Sequence, residues 1–160
     1  TNNFIRNRLT TLAVSATATG SIVSAYTLTL TGGSIEFNNN ITYLTPETLG
    51  VINKPIAHVT GTRSISGAFT CYLGNHSAGS ADLFEDLIES DGTITNDFDL
   101  TFSIGGASAP KVAINLPTCH LEIPTHSIDD IISLETNFHA LPSTVDGADD
   151  ATITYTGAAY

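Results

Sequence analysis

The sequence predicts a mainly β protein, an antiparallel β-sandwich or partly closed barrel with one flanking α-helix. Apolar and polar residues alternate with a period of two in seven or eight segments, whereas only one segment has helical spacing. Charged residues make up 13% of the chain and hydrophobic residues 41%, which excludes a disordered chain. Since 160 residues are the length of one domain, we expect residues 1–160 to form a single domain.

The first third of the chain predicts an N-terminal arm over residues 1–20, followed by strands. Residues 9–35 carry no charge, but Ser, Thr and Gly interrupt the stretch, so a strand and turn fit better than a membrane span. Apolar residues then alternate with polar ones on both sides of a Gly-Gly pair, at Tyr26, Leu28, Leu30, Ile35 and Phe37.

Residues 38–55 have no clear periodicity and predict a long loop. Eighteen residues is long for a connector in a compact domain, and such loops are usually functional. Three of its apolar side chains are expected to be exposed, those of Tyr43, Leu44 and Leu49.

The next segment, residues 58–73, predicts one long strand. One of its faces is mainly apolar, and the other is small and hydroxylated over six successive positions. Small uncharged side chains suit a surface close to another backbone, or one past which something slides. The six positions are Thr60, Thr62, Ser64, Ser66, Ala68 and Thr70.

Residues 80–90 predict the helix, with Ser80 as its N-cap and Gly92 beyond its end. The apolar stripe that packs on the sheet is expected to be Leu83, Phe84, Leu87 and Ile88. The acidic side chains of the helix are expected to face water. They are Glu85, Asp86 and Glu89.

Alternation predicts five further strands after the helix. They are Phe98–Ile104, Val112–Leu116, Thr118–Ile123, Ile131–Leu141 and Ala151–Thr156. The last of them belongs to a C-terminal strand or arm over residues 144–160.

No group of residues in the sequence predicts catalysis. The Ser-containing stretch 64–67 lacks the first glycine of a nucleophile elbow and lies within a predicted strand. His120 and Glu122 share a strand face and could bind a metal with His126 or His139, but their spacing is unlike that of zinc sites. We therefore predict no enzyme activity, no metal and no cofactor.

The two cysteines, Cys71 and Cys119, are too few for a disulfide framework. They could pair if their strands were neighbours, but two small buried apolar residues are the better interpretation. The sequence leaves their pairing open.

The net charge of −11 excludes tight binding of nucleic acid, which requires clustered Lys and Arg. Residues 1–81 hold four basic and two acidic residues, a net of +2, whereas residues 82–160 hold one basic and fourteen acidic residues, a net of −13. This difference in charge could align copies of the chain in a head-to-tail assembly. Alternatively, the acidic side chains could simply keep the surface of the second half of the chain in contact with water.

Two stretches resemble a known family. Residues 37–73 read FNNNITYLTPETLGVINKPIAHVTGTRSISGAFTCYL, and residues 116–143 read LPTCHLEIPTHSIDDIISLETNFHALPS. Together these 65 of 160 residues resemble the strand, long loop and later strands of phage tail tube proteins, also called major tail proteins.

The resemblance implies a tail-tube-like β-sandwich whose copies form hexameric rings, with one sheet of each joining a continuous barrel around a lumen. The rings would stack into a helical tube in the virion tail, assembled in the host cytoplasm, through which DNA passes at genome ejection without being held. Partners would be copies of the chain and other tail proteins, with no membrane and no cofactor.

The resemblance also implies roles for individual positions. The loop 38–55 would reach the adjacent ring through five apolar residues, which are Tyr43, Leu44, Pro46, Leu49 and Val51. The lumen would be lined by the small hydroxylated strand face together with two carboxylates. These lumen residues are Thr60, Thr62, Ser64, Ser66, Glu122 and Glu135.

Three other classes of protein remain open. The inner tube of a contractile injection or type VI-like system would share the fold and rings but carry protein. A secreted fimbrial or adhesin subunit fits the Thr-rich β composition, whereas the absence of Trp disfavours a carbohydrate-binding sandwich. Because the chain also lacks Met, we expect it to start after processing or to be part of a longer subunit.

Overall fold

The computed structural model describes residues 4–16, 21, 23–45, 55–89, 97–128, 130–144 and 147–157. Within these ranges lie one α-helix, α1 (Ser80–Glu89), and one 3₁₀ turn, Asn7–Leu9. The same ranges hold eleven strands. They are β1 (Thr11–Ala16), β2 (Ala25–Thr27), β3 (Leu30–Asn38), β4 (Ile41–Leu44), β5 (Ala57–Thr60), β6 (Ser64–Tyr72), β7 (Phe98–Ile104), β8 (Lys111–Leu121), β9 (Thr125–Ile128), β10 (Ile132–Ala140) and β11 (Thr152–Thr156).

Nine of these strands form one antiparallel sheet, seven of them in the order β2-β1-β7-β8-β10-β6-β3. Strand β8 is eleven residues long and is shared along one edge, where Asn115 pairs with β11 and His120 pairs with β10. The remaining strand, β9, pairs with β10. The sheet therefore divides at β8 into two halves.

A proline inside β8 explains why two strands were predicted where one exists. Pro117 has no amide hydrogen for a ladder, and the β7–β8 register shifts by one residue between the Leu100–Leu116 and Phe98–Cys119 pairs. The bulge accommodates the proline, so the predicted strand 112–116 and the first four residues of the predicted strand 118–123 belong to one strand, which ends at Leu121.

The core lies between the two halves of the sheet. The ring of Phe138 on β10 lies 5.8 Å from that of Phe102 on β7 and 6.4 Å from that of Phe69 on β6, measured between centroids. The largest side chains that are almost fully buried come from both halves and from α1. They are Phe69, Phe98, Phe138, Leu83, Leu100, Leu116 and Leu121.

The sheet also curls until its two ends nearly meet. Strands β2 and β3 lie at opposite ends of the strand order, yet only Leu28 and Thr29 separate them in the chain. No ladder joins β2 to β3 in the described part of the chain, and a cleft of about 570 Å³ lies between β3 and the apolar side chains of Phe102, Ile104 and Ile114. The prediction of a sandwich or partly closed barrel is confirmed.

Helix α1 begins at the predicted residue, but Ser80 has a different role. Its hydroxyl donates to the Tyr72 carbonyl at 2.7 Å and accepts from the Gly74 amide at 2.8 Å. The side chain therefore ties the helix to the end of β6, while Asp82 accepts from the Ala78 amide at 2.7 Å.

The apolar stripe of α1 is partly as predicted. Leu83 and Leu87 are buried in the core and Phe84 packs against it, whereas Ile88 is 54% exposed. The prediction that Asp86 faces water is wrong, because it is buried and accepts a hydrogen bond from the hydroxyl of Tyr26 on β2.

The predicted loop 38–55 and strand 58–73 have different boundaries in the structure. Strands β4 and β5 pair as a separate hairpin, and residues 61–63 separate β5 from β6. The alternation of residue types continues across this break, which is why the sequence predicted one strand. Residues 46–54 lie outside the described ranges.

The two terminal segments contribute to the sheet. Residues 1–20 were expected to be an arm, but β1 pairs with both β2 and β7 inside the sheet. Strand β11 pairs with β8 and forms an edge.

Both cysteines are buried and free, as expected of small apolar residues. Burial raises the pKa of the Cys71 thiol to about 11 and that of Cys119 to about 12. Among the described residues no helix is long and apolar enough to span a membrane.

Candidate assembly surfaces

One outer surface of the sheet is polar and acidic, and we call it the acidic face. It consists of the outward side chains of β3, β6 and β10 and of the end of β8, because the alternate positions of these strands point into the core. Its residues are Ser34, Glu36, Ser66, Ala68, Thr70, Glu135, Asn137, His139, His120 and Glu122.

The strand register arranges the acidic face in rows. Glu36 pairs with Ser66, Ser66 with His139, and His139 with His120, so one row crosses four strands. In the next row the Glu122 amide donates to the Asn137 carbonyl at 3.0 Å. The face therefore holds small side chains in its middle and carboxylates towards both sides.

Glu122 makes the best-defined side-chain contacts of the acidic face. Asn137 Nδ2 donates to Glu122 Oε2 at 2.9 Å, and His139 Nε2 lies 3.5 Å from Glu122 Oε1. The hydrogen bond from Asn137 and, to a smaller extent, the contact with His139 lower the pKa of Glu122 below its usual value. This carboxylate is therefore held in its charged form.

The acidic face does not supply a metal site in the part of the chain that the structure describes. No group there combines three or more His, Cys, Asp or Glu side chains suited to a metal ion. His126 lies elsewhere, with its ring 6.4 Å from that of Phe84 on the helix.

The other half of the sheet presents a second outer surface, which we call the hydroxyl face. It consists mainly of small residues that alternate with buried ones on β1, β7 and the first half of β8, continued by β11. Its residues are Thr11, Ala13, Ser15, Asp99, Thr101, Ser103, Lys111, Ala113, Asn115, Thr152, Thr154 and Thr156. With one carboxylate and one ammonium group, this face has no net charge.

The β4–β5 hairpin exposes apolar side chains that a soluble monomer would be expected to bury. Tyr43 is 64% exposed, Leu44 49% and Ile56 73%. A separate two-stranded ribbon is marginally stable in water unless it packs against something. Its surface is therefore suited to contact with another protein.

The structure brings together only part of the predicted lumen set. Ser66, Glu122 and Glu135 share the acidic face, and Ser64 lies at its edge, paired with Asn38. Thr60 instead pairs with Ile41 in the hairpin, and Thr62 lies in the connector between β5 and β6.

The predicted inter-ring set is described at two of its five positions. Tyr43 and Leu44 are exposed on β4. Pro46, Leu49 and Val51 lie outside the described residues.

Sequence reasoning missed several members of these surfaces. Glu36 and Asn137 join the acidic face through pairing between strands distant in the chain, which periodicity alone does not reveal. The hydroxyl face did leave a signal, since Thr11, Ala13 and Ser15 alternate with Leu12 and Val14. The alternation covers only five residues and lies within the predicted arm, so it does not by itself indicate a face of the sheet.

Known proteins resemble this chain in both sequence and fold. Residues 5–159 match the family described as phage tail tube protein. Tail tube protein pb6 of Escherichia phage T5 is 34% identical over 151 residues, which cover 92% of this chain and 32% of that protein. The chain thus spans about a third of the length of this relative.

Two solved structures have the same fold at low sequence identity. The SPP1 tail tube, determined by solid-state NMR and cryo-EM, superposes with a TM-score of 0.62 at 9% identity, covering 96% of this chain and 81% of that chain. The tail of an empty GTA particle, refined with helical C6 symmetry, has a TM-score of 0.55 at 11% identity, covering 91% and 96%.

Proposed function

Because this chain belongs to the phage tail tube protein family, we propose that it is a structural subunit of a phage tail tube and not an enzyme. The observation that carries the proposal is the family match over residues 5–159. In this role the chain belongs to the virion tail, and its partners are copies of itself and other tail proteins.

The copies form rings that stack into a hollow tube, and six copies per ring agree with the C6 symmetry of the GTA particle tail. Two of the edge strands of the sheet, β3 and β11, are available for neighbours in such a ring. Pairing them between subunits removes exposed strand edges, which otherwise promote uncontrolled aggregation.

The acidic face lines the lumen of this tube. It carries the carboxylates of Glu36, Glu122 and Glu135 and no Lys or Arg, whereas the hydroxyl face is neutral. A wall of like charge repels the phosphates of DNA, so the genome passes without being held. Ser66 and Ala68 leave the middle of the wall free of bulky groups.

The β4–β5 hairpin makes the contact between rings. Support comes from the exposure of Tyr43, Leu44 and Ile56, which burial against the next ring would remove from water.

Thiol labelling tests which face lines the lumen. In assembled tubes, Cys introduced by Ser66→Cys on the acidic face should react at least about tenfold more slowly with a bulky maleimide than Cys from Ala13→Cys on the hydroxyl face. Both should react quickly in monomers, and the native thiols of Cys71 and Cys119 are buried and give little background. Faster labelling at position 66 than at position 13 in tubes would reverse the assignment.

A further inference from the structure

The hairpin and the main sheet are parts of one bent ribbon. Strand β3 continues into β4, and β5 continues into β6, so the same two chain segments pair on both sides of a break. The last pair of the sheet is Asn38–Ser64 and the first pair of the hairpin is Ile41–Thr60. Two residues on one strand therefore face three on the other, and such an extra residue bends a ribbon.

Local hydrogen bonds hold the two segments together at this bend. Asn40 has a φ of 46°, and its Nδ2 donates to the Thr62 carbonyl at 2.7 Å. The Gly61 amide donates to the Asn40 carbonyl at 2.9 Å, and a Cβ on Gly61 would lie 2.9 Å from that of Asn40. Position 61 therefore requires glycine, because the two segments lie too close together there for a side chain.

The longer segment of the bend ends at Arg63, which reaches across to a different part of the chain. Its Nε donates to Asp150 Oδ2 at 2.8 Å, and its Nη2 donates to Asp150 Oδ1. Asp150 is 6% exposed and lies two residues before β11. In the described ranges this is the one ion pair between a Lys or Arg and a carboxylate.

We propose that the Arg63–Asp150 pair sets the orientation of the β4–β5 hairpin relative to the sheet, and that subunit stacking depends on it. Only the second part of this inference, that stacking depends on the pair, rests on the proposed function. A bidentate guanidinium–carboxylate pair fixes direction as well as distance, because the two planar groups meet through two parallel hydrogen bonds. Arg63 is therefore a positioning residue for the contact between rings.

The β4–β5 hairpin needs such a positioning contact because its two strands are short. Four paired residues on each side give the hairpin little stability of its own, and its apolar side chains face away from the core. Without the pair, only the hydrogen bonds of Asn40 and Gly61 would hold the bend, so the hairpin would sample a wider range of directions. Ordering it at each contact would then weaken assembly.

The test compares four chains by hydrogen exchange of monomers and by tube formation. They are the wild type, Arg63→Ala/Asp150→Ala, Arg63→Lys, and the control Lys111→Ala, which also removes one cation. The double variant leaves no buried carboxylate unpaired, so it should fold.

In the double variant, amide exchange at residues 41–44 and 57–62 should accelerate at least about tenfold, while exchange in β8 and β10 stays unchanged. Its critical concentration for tube formation should rise by a similar factor. Arg63→Lys keeps one hydrogen bond and the charge, so its values should fall between the double variant and the wild type. Lys111→Ala should match the wild type in both measurements.

Unchanged exchange in the hairpin of the double variant would overturn the proposal. Equal acceleration in β8 and β10 would also overturn it, because the pair would then only stabilise the fold. If the double variant does not fold, an Arg63→Lys variant with wild-type hairpin exchange would refute the inference. Failure of the wild type to form tubes would instead count against the proposed function, since the exchange measurement uses monomers.

Discussion

The contact between Tyr26 and Asp86 shows how a single pair joins the helix to the sheet. The Tyr26 hydroxyl, on β2, donates to a carboxylate on α1 that is itself buried. Burial, together with the hydrogen bond and charge of Asp86 and the charge of Asp82, raises the pKa of Tyr26 well above its usual value. The folded state therefore keeps the phenol neutral.

This raised pKa predicts a loss of stability in alkali. A group whose pKa is raised on folding contributes stability below its unfolded pKa, about 10 for Tyr, and loses it as pH rises further. Tyr26→Phe should cost about 1–3 kcal/mol at pH 7 and flatten the decline above pH 10 by up to about 1.4 kcal/mol per pH unit. Urea unfolding between pH 7 and 11 measures both.

Tyr155→Phe is the matched control, because Tyr155 is 66% exposed and should leave the profile unchanged. The Cys71 and Cys119 thiols also have raised pKa values, so some alkaline decline will persist in Tyr26→Phe. A decline as steep as that of the wild type would show that Tyr26 does not contribute.

Gly67 is required by close packing inside β6. A Cβ at this position would lie 2.1 Å from the Ser34 carbonyl oxygen and 2.7 Å from the Phe138 ring. Gly67→Ala should therefore destabilise the fold by about 3 kcal/mol or more, measured by urea unfolding. Gly32→Ala has open space around the new methyl group and should change stability by at most about 0.5 kcal/mol. Equal effects of the two variants would contradict this packing argument.

At the scale of single residues, sequence reasoning identified the core better than the buried polar groups. Leu83 and Leu87 follow from helical spacing. Asp86 was misplaced because its partner Tyr26 is 60 residues away, and nothing in the helix sequence indicates a donor there.

At the scale of elements, periodicity located the strands but not their interruptions. Pro117 suggested a strand end, but a bulge keeps β8 continuous. Conversely, Gly61 and Arg63 continue the alternation between β5 and β6, although the chain leaves the ladder there. Both errors arise because residue type reports which side a position faces, while hydrogen bonding decides where a strand ends.

The exposed apolar side chains of the β4–β5 hairpin make its role in stacking testable. Tyr43→Asp/Leu44→Asp should block stacking, because two charges would be buried at the contact between rings, and should leave the fold intact. Sedimentation velocity should show folded subunits or single rings in place of tubes.

Two checks accompany this variant. Ile128→Asp places a charge on another exposed apolar side chain, 74% exposed on β9, and should still permit stacking. Tubes of normal length from the hairpin variant would remove Tyr43 and Leu44 from the interface.

At the scale of the whole molecule, the charge asymmetry has a different meaning from the one its sequence suggested. The first half of the chain has a net charge of +2 and the second −13. Strands of the first half, β1, β2, β3 and β6, lie at both ends of the strand order, and the acidic second half supplies the middle. The halves of the sequence therefore do not form two halves of the sheet.

The fold class and the family could both be predicted from the sequence, because alternation and the quoted motifs are local. The two faces could not, because they depend on which distant strands pair. Ser66, Glu122 and Glu135 meet only through the β6–β10–β8 register.

Cryo-electron microscopy of the purified chain at high concentration tests the central claim most directly. We expect stacked rings with a central channel, in which Glu36, Glu122 and Glu135 face the channel and the β4–β5 hairpin contacts the next ring. Monomers alone under these conditions, or a tube whose channel is lined by the hydroxyl face, would contradict it.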